Sequence, residues 1–266
     1  MVVSGKGKGR TMLHGFITAL QFLTIFTVRK KHEVDENDLS RSMVYFPFVG
    51  FVIGLVLVYA DKALLWIFPD TVSNIFLLIL SVVITRALHI DGLADSIDGI
   101  MGGRDQESRL AIMRDSRIGT AGVLGIVFVL MIKYACLNTL FYDYKTAALL
   151  TAPAFSRWSQ MLMMFEAGYG REDGMGKAFV GHVRLKGLLA ASAITVGLSG
   201  FVIYQYDTRT AVLAVGIPLA VGLLTFFWRW FVVRKVGGVT GDSVGAVSEM
   251  NEALTLLLFV FLLNGG

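Results

Sequence analysis

Cysteine occurs once in 266 residues, at position 136, which excludes an intrachain disulfide and any CxxC metal site. The four histidines, His14, His32, His89 and His182, have no HExxH spacing. Charge is scarce: 17% of residues are Asp, Glu, Lys or Arg, against roughly 25% in an ordinary soluble domain. Low complexity is confined to Gly5–Gly9, and no repeat or second domain stands out. Collagen-like, disordered and disulfide-scaffold classes are thereby excluded. No long basic tail suggests nucleic acid as a partner.

What is abundant is apolar surface: 55% of the chain, with a mean hydropathy of +0.66. One soluble domain of this size cannot bury that much, so the excess faces lipid. Apolar runs occupy about 43–60, 71–85, 118–141, 146–165, 188–204, 210–228 and 253–263. Some are shorter than the roughly 20 residues a spanning helix needs, so their helices must borrow flanking polar residues. An eighth run, 12–28, follows Lys6, Lys8 and Arg10 and has no small-residue cleavage site after it, so it reads as retained, not as a cleaved signal peptide. Because a span there would put those cations outside, an interfacial or re-entrant helix is preferred. The expectation is an all-α, polytopic membrane bundle of about seven transmembrane helices plus this N-terminal helix, forming a single domain over 1–266.

Charge placement orients it. Alternating sides, the loops 29–42, 86–117, 166–187 and 229–249 carry 16 Lys and Arg; the turns 61–70, 142–145 and 205–209 carry 3. The basic loops are therefore expected in the cytoplasm, with active-site loops near 86–117, 166–187 and 229–249. Tyr59, Trp66, Tyr142, Tyr144, Tyr204 and Tyr206 flank the short outer turns as an aromatic belt would.

Six acids crowd the loop 86–117, beginning with Asp91, Asp95 and Asp98. At about 100° per residue these three share one stripe of a helix. Three carboxylates on one face repel unless a cation sits among them, and oxygen donors without His or Cys suit Mg²⁺, or Mn²⁺. The alternative, a solvated acidic face, sits poorly with Gly92, Gly99, Gly102 and Gly103. A second acidic group, Thr240, Gly241, Asp242 through Glu249 and Glu252, lies in a glycine-rich stretch on the same side. There backbone N–H groups can approach an anion, and Asp242 and Glu249 are the candidate partners of the shared metal.

Carboxylates with Mg²⁺ imply a phosphorylated substrate, which needs cations. Arg104, Arg109, Arg114 and Arg117 share the loop with the acids, and Asp115–Thr120 closes it. Lys133 and Arg157 fall inside apolar runs, where a cation costs about 2.5–3.5 kcal/mol on insertion scales and marks a site or pathway; an internal ion pair is the alternative. Tyr169–Phe179 is a third glycine-rich loop, with Arg171. The chemistry best matched is metal-assisted phosphoryl or nucleotidyl transfer, with a carboxylate or His89 deprotonating an alcohol. Asp95-Ser-Ile-Asp98-Gly99 matches the opening of the CDP-alcohol phosphotransferase signature, but Gly102-Gly103 stands where Ala-Arg should be. A transporter using Lys133 and Arg157 as a relay and a non-catalytic scaffold are the readings from other classes.

The chain closely resembles the cobalamin synthases, the adenosylcobinamide-GDP ribazoletransferases, nearly end to end. The resemblance rests on Ala19–Thr24, Tyr45–Gly50, His89–Asp95 through Asp98 to Arg104, Ile112–Thr120, Arg157-Trp158, Tyr169–Arg171 and Gly238–Ala246. Ala121, where an aromatic is usual, and Arg114, where Lys is common, depart from the pattern. The resemblance implies a transferase joining adenosylcobinamide-GDP and α-ribazole, or its 5′-phosphate, with release of GMP. It implies Mg²⁺ on Asp91, Asp95, Asp98, Asp242 and Glu249, and catalytic roles for Asp91, His89 and Asp95. Substrate contacts would come from Arg104, Arg109, Asp115, Arg117, Lys133, Arg157, Arg171 and Thr240. It further implies a prokaryotic plasma (inner) membrane, and is compatible with a homo-oligomer and with transient contact with other corrinoid-pathway enzymes.

Overall fold

The computed structural model describes residues 12–28, 34–206 and 211–264, all helix and connecting turns with no strand among them. The tail cations Lys6, Lys8 and Arg10, the Arg29–Lys31 group and Arg209 lie outside these residues. The helices are α1 (Met12–Leu23), α2 (Glu36–Ser42), α3 (Phe46–Leu64), α4 (Asp70–Ile84), α5 (Leu88–Gly102), α6 (Gln106–Ile112), α7 (Thr120–Thr139), α8 (Tyr142–Met164), α9 (Leu185–Tyr206), α10 (Ala211–Val236) and α11 (Gly241–Asn264).

Five helical stretches are long and apolar enough to cross a membrane: Glu36–Leu64, Thr120–Thr139, Leu185–Gln205, Val212–Val236 and Gly241–Phe261. Counting the bent pair α4 and α5 as one span makes six, short of the expected seven. The missing one is α8, whose polar residues spoil its hydropathy. It nevertheless lies antiparallel along α3: Gly50 packs on Pro153 and Ala154, and Gly54 on Leu149 and Leu150. Residues 151–164 of α8 are all buried, so its polar groups face protein and its low apolar content carries no lipid penalty. The peripheral helices are the reverse. Only 28% of the apolar windows of α7, α9 and α10 is buried, against 67% for α11. Helix α1 has 12 residues, about 18 Å at 1.5 Å each, too short for a hydrocarbon core of about 30 Å.

Two buried ion clusters fix the bundle. At one end Lys145 donates to Asp61 and Asp70, 2.7 Å to each, joining α8 to the end of α3 and the start of α4. In the middle, Lys133 of α7 meets Glu249 at 2.7 Å and Glu252 at 3.0 Å, and Arg157 of α8 meets Glu252 at 2.8 Å. Two cations and two anions close a neutral network among α7, α8 and α11, which is how the fold bears charge at membrane depth. At the opposite end from Lys145, the Arg109 guanidinium donates to the carbonyls of Lys235 and Arg104. Arg171 donates to Met113 and Asp242 there. The loops near 86–117, 166–187 and 229–249 therefore converge on one end, and the turns near 61–70 and 142–145 on the other.

The break between α4 and α5 turns the chain by 86°. It is made by Arg86 and Ala87, with φ of 53° and 56°, left-handed conformations that L-residues other than Asn and Asp rarely adopt. Relieving that strain in Ala87→Gly should raise the thermal midpoint in detergent by the equivalent of about 1 kcal/mol, whereas Ala87→Val should lower it. The central network makes a second prediction. Glu252→Gln leaves Lys133 with Glu249 alone and Arg157 buried with no acidic partner, and differential scanning fluorimetry should register a loss on the order of 3–5 kcal/mol.

Candidate functional site

The site is built where α5 crosses the start of α11. Gly92 is so close to the Asp242 backbone that a Cβ would stand 2.7 Å from its carbonyl oxygen, and Gly245 packs on His89 and Gly92. Small residues on both helices allow this approach, which brings the acidic face of α5 against Asp242. The loop after α8 completes the wall. Its backbone pairs with the strand-like turn before α11: Gly170 N–H donates to the Val239 carbonyl and Val239 N–H to the Gly168 carbonyl, both at 2.9 Å. Gly170 and Gly238 face each other there with no room for a side chain. Arg229 holds the start of this loop through the Phe165 and Glu166 carbonyls, at 2.7 and 3.0 Å.

These elements enclose a cavity of about 200 Å³. His89, Asp91, Tyr169, Arg171, Asp242 and Gln160 line its polar wall. Asp91 is exposed, and neither the Asp91 nor the Asp95 carboxylate has a hydrogen-bond or ion-pair partner among the described residues. Asp95, half-buried, stands among Asp91, Asp242 and Asp98, with Arg171 as the nearby cation. Arg171 donates to Asp242 through one Nη, while its buried Nε has no partner. His89 is 3% exposed and its Nδ1 is also unpartnered. Burial raises the Tyr169 phenol above its ordinary range.

The other expected site residues have different partners. Asp98 turns away from Asp91 and accepts from Gly119 N–H at 2.7 Å and Gly122 N–H at 2.8 Å, capping α7. Glu249 is spent on Lys133, and Lys133 and Arg157 belong to the central network, so the ion-pair alternative accounts for both cations. Arg109 ties backbone carbonyls together. Thr240 is fully buried and caps α11 reciprocally with Ser243. Asp115 and Arg117 form a surface pair at 2.6 Å. The Arg117 side chain and its N–H hold the Asp115 carboxyl down at about 2, so this pair stays charged at any ordinary pH. Arg104 is exposed and is not among the residues lining the cavity. What the sequence reading missed is the aromatic part of the cavity lining, Phe22, Phe46 and Phe179, brought together from three separate segments.

Among the described residues no group of three or more His, Cys, Asp or Glu is drawn together as a metal cage. Mg²⁺ does not ask for one. It keeps several waters and takes one or two carboxylates plus substrate phosphates. The donor chemistry of Asp91, Asp95 and Asp242, two of them without a partner, fits that demand.

No solved structure matches the chain. Sequence comparison is informative. The chain is 36% identical over 249 residues to the adenosylcobinamide-GDP ribazoletransferase of Geotalea daltonii, covering 94% of this chain and 98% of that one. To the protein of the same name from Fusobacterium nucleatum it is 32% identical over 271 residues, covering 93% and 97%. The family model described as cobalamin-5-phosphate synthase matches residues 15–260. The chain that carries this acid-lined cavity thus belongs to the cobalamin-5-phosphate synthase family.

Proposed function

We propose that this protein is a membrane transferase that joins adenosylcobinamide-GDP to α-ribazole, or to its 5′-phosphate, and releases GMP. The observation that carries the reading is the unpartnered carboxylate of Asp91 beside Asp242 and Arg171 in the cavity lining, with the unpartnered Asp95 carboxylate close behind them. Acids left uncompensated at this density are costly unless a cation joins them, and a diphosphate substrate brings one.

The step is a displacement at phosphorus. The ribazole hydroxyl oxygen bonds to the phosphorus that carries the cobinamide. The bond from that phosphorus to the bridging oxygen breaks, and GMP departs with the electron pair. The hydroxyl proton passes to Asp91 or to His89, the two titratable groups at the cavity able to take it. Arg171, whose guanidinium borders the cavity, is the cation that would meet a phosphate oxygen there. The first N–H groups of α11, at Gly241 and Asp242, line the cavity and favour the same anion. One or two of Asp91, Asp95 and Asp242 would hold Mg²⁺ together with substrate phosphates, so that the diphosphate charge is neutralised. The 16-to-3 bias of Lys and Arg supports a site facing the cytoplasm, in a prokaryotic plasma membrane.

Purified protein in nanodiscs should release GMP only with both substrates and Mg²⁺, and chelation should abolish the release. Asp95→Asn should lower kcat by at least about 100-fold with an unchanged thermal midpoint. Metal-independent release, or a fully active Asp95→Asn, would overturn the assignment. Asp98→Asn should do the opposite. It weakens the cap on α7 by about 1 kcal/mol, seen as a lower midpoint, and leaves kcat within a few-fold.

A further inference from the structure

The cavity has two chemically different walls, and the mechanism uses only one. Besides the acids, the lining holds Phe22 of α1, Phe46 at the start of α3 and Phe179 after the glycine-rich loop, which form a cluster. Phe22 and Phe179 have centroids 4.6 Å apart, Phe22 and Phe46 6.1 Å, and Phe46 and Phe179 6.0 Å. Leu23, Met164 and Val180 extend this surface. Gln160, at the edge, has its amide N–H committed to the Ser248 hydroxyl at 2.8 Å. A polar base edge would find almost no partners on this wall, and burying it there would be costly.

We propose that this wall is the seat of the acceptor's base. On this reading, which rests on the transferase function above, a planar, apolar two-ring base lies against Phe179 and Phe22. Its ribose then projects toward Asp91, where the hydroxyl loses its proton. Size supports the acceptor over the corrinoid. A cavity of about 200 Å³ holds on the order of seven waters at about 30 Å³ each. That is the space of a two-ring base, far below a corrin ring with its side chains. Guanine is the poorer match because its edge needs hydrogen-bond partners. The other substrate has its own approach. Arg171 borders a second, open groove lined by Gln106, Glu107, Arg114 and Glu172. A diphosphate lying in that groove meets the alcohol at Arg171. Phe22, Phe46 and Phe179 are thus specificity-determining residues for the acceptor, and the short helix α1 serves the site.

The test is a split of the two KM values in nanodiscs, with direct titration of α-ribazole as an independent readout. Phe179→Ala should raise the KM and Kd for α-ribazole by about tenfold or more, as expected when a base loses its stacking partner. The KM for adenosylcobinamide-GDP should stay within about twofold, since stacking contributes to the base alone. Phe179→Leu, which keeps the volume but not the ring, covers the case in which the alanine variant fails to fold and should move the same constant in the same direction. A rise in the corrinoid KM instead, or α-ribazole binding unchanged in folded Phe179→Leu, would overturn the proposal. The transferase reading fails separately: wild type that binds α-ribazole through Phe179 yet releases no GMP would sink that reading and leave this one standing.

Discussion

The close crossing of α5 and α11 is the constraint on which the site depends. Gly92 and Gly245 let the two backbones meet with no side chain between them, and only at that distance does the acidic stripe of α5 reach Asp242. A methyl group at either position would push the helices apart and separate the carboxylates from Arg171. The crossing also fixes direction. Helix α5 starts at the strained turn Arg86-Ala87, so its first turn, with His89 and Asp91, is aimed into the cavity. Strain at the break is thereby spent on placement, and the loop carrying Arg171 is sewn to the same helix end through the Gly170–Val239 pairing.

Acids and bases in this bundle sort by whether they are paired. Glu249, Glu252, Lys133 and Arg157 neutralise one another, and Lys145 bridges Asp61 and Asp70, one cation to two carboxylates. These groups hold helices together, and a relay along Lys133 and Arg157 has no free carrier to begin from. The Asp91 and Asp95 carboxylates are left without partners among the described residues. They set this end of α5 apart from the acids that hold helices together.

Much of this was legible in the sequence, and the exceptions share a cause. The bundle, the convergence of the three glycine-rich loops and the nearness of Asp91, Asp95 and Asp242 to one another follow from hydropathy, charge bias and helical spacing, all of which are local. Asp98 sits on the same stripe, but its partners are the N–H groups of Gly119 and Gly122, more than twenty residues away. Glu249 is claimed by Lys133 from over a hundred residues away. Spacing tells which face a carboxylate is on and says nothing of what else reaches that face. The same limit applies to α8: its polar residues lower its hydropathy because they are read one at a time, whereas in the bundle they face α3 and α11.

The aromatic wall was hidden for a further reason. Phe22, Phe46 and Phe179 lie in three segments whose phenylalanines look like the rest of the chain's 19. In a membrane protein an apolar ring carries little information, since lipid accepts it as readily as a binding site does. The distinction comes from what faces it. Rings on α10 such as Phe226 and Phe227 point outward, 55% and 59% exposed, while Phe46 and Phe179 are buried and share a cavity lining with three charged groups. An apolar wall that shares a cavity with carboxylates and an arginine has little value as packing, because the gap between them could not be filled by either. It is suited to a molecule with an apolar end and a polar, reactive one, which is the constitution of a nucleoside bearing an apolar base.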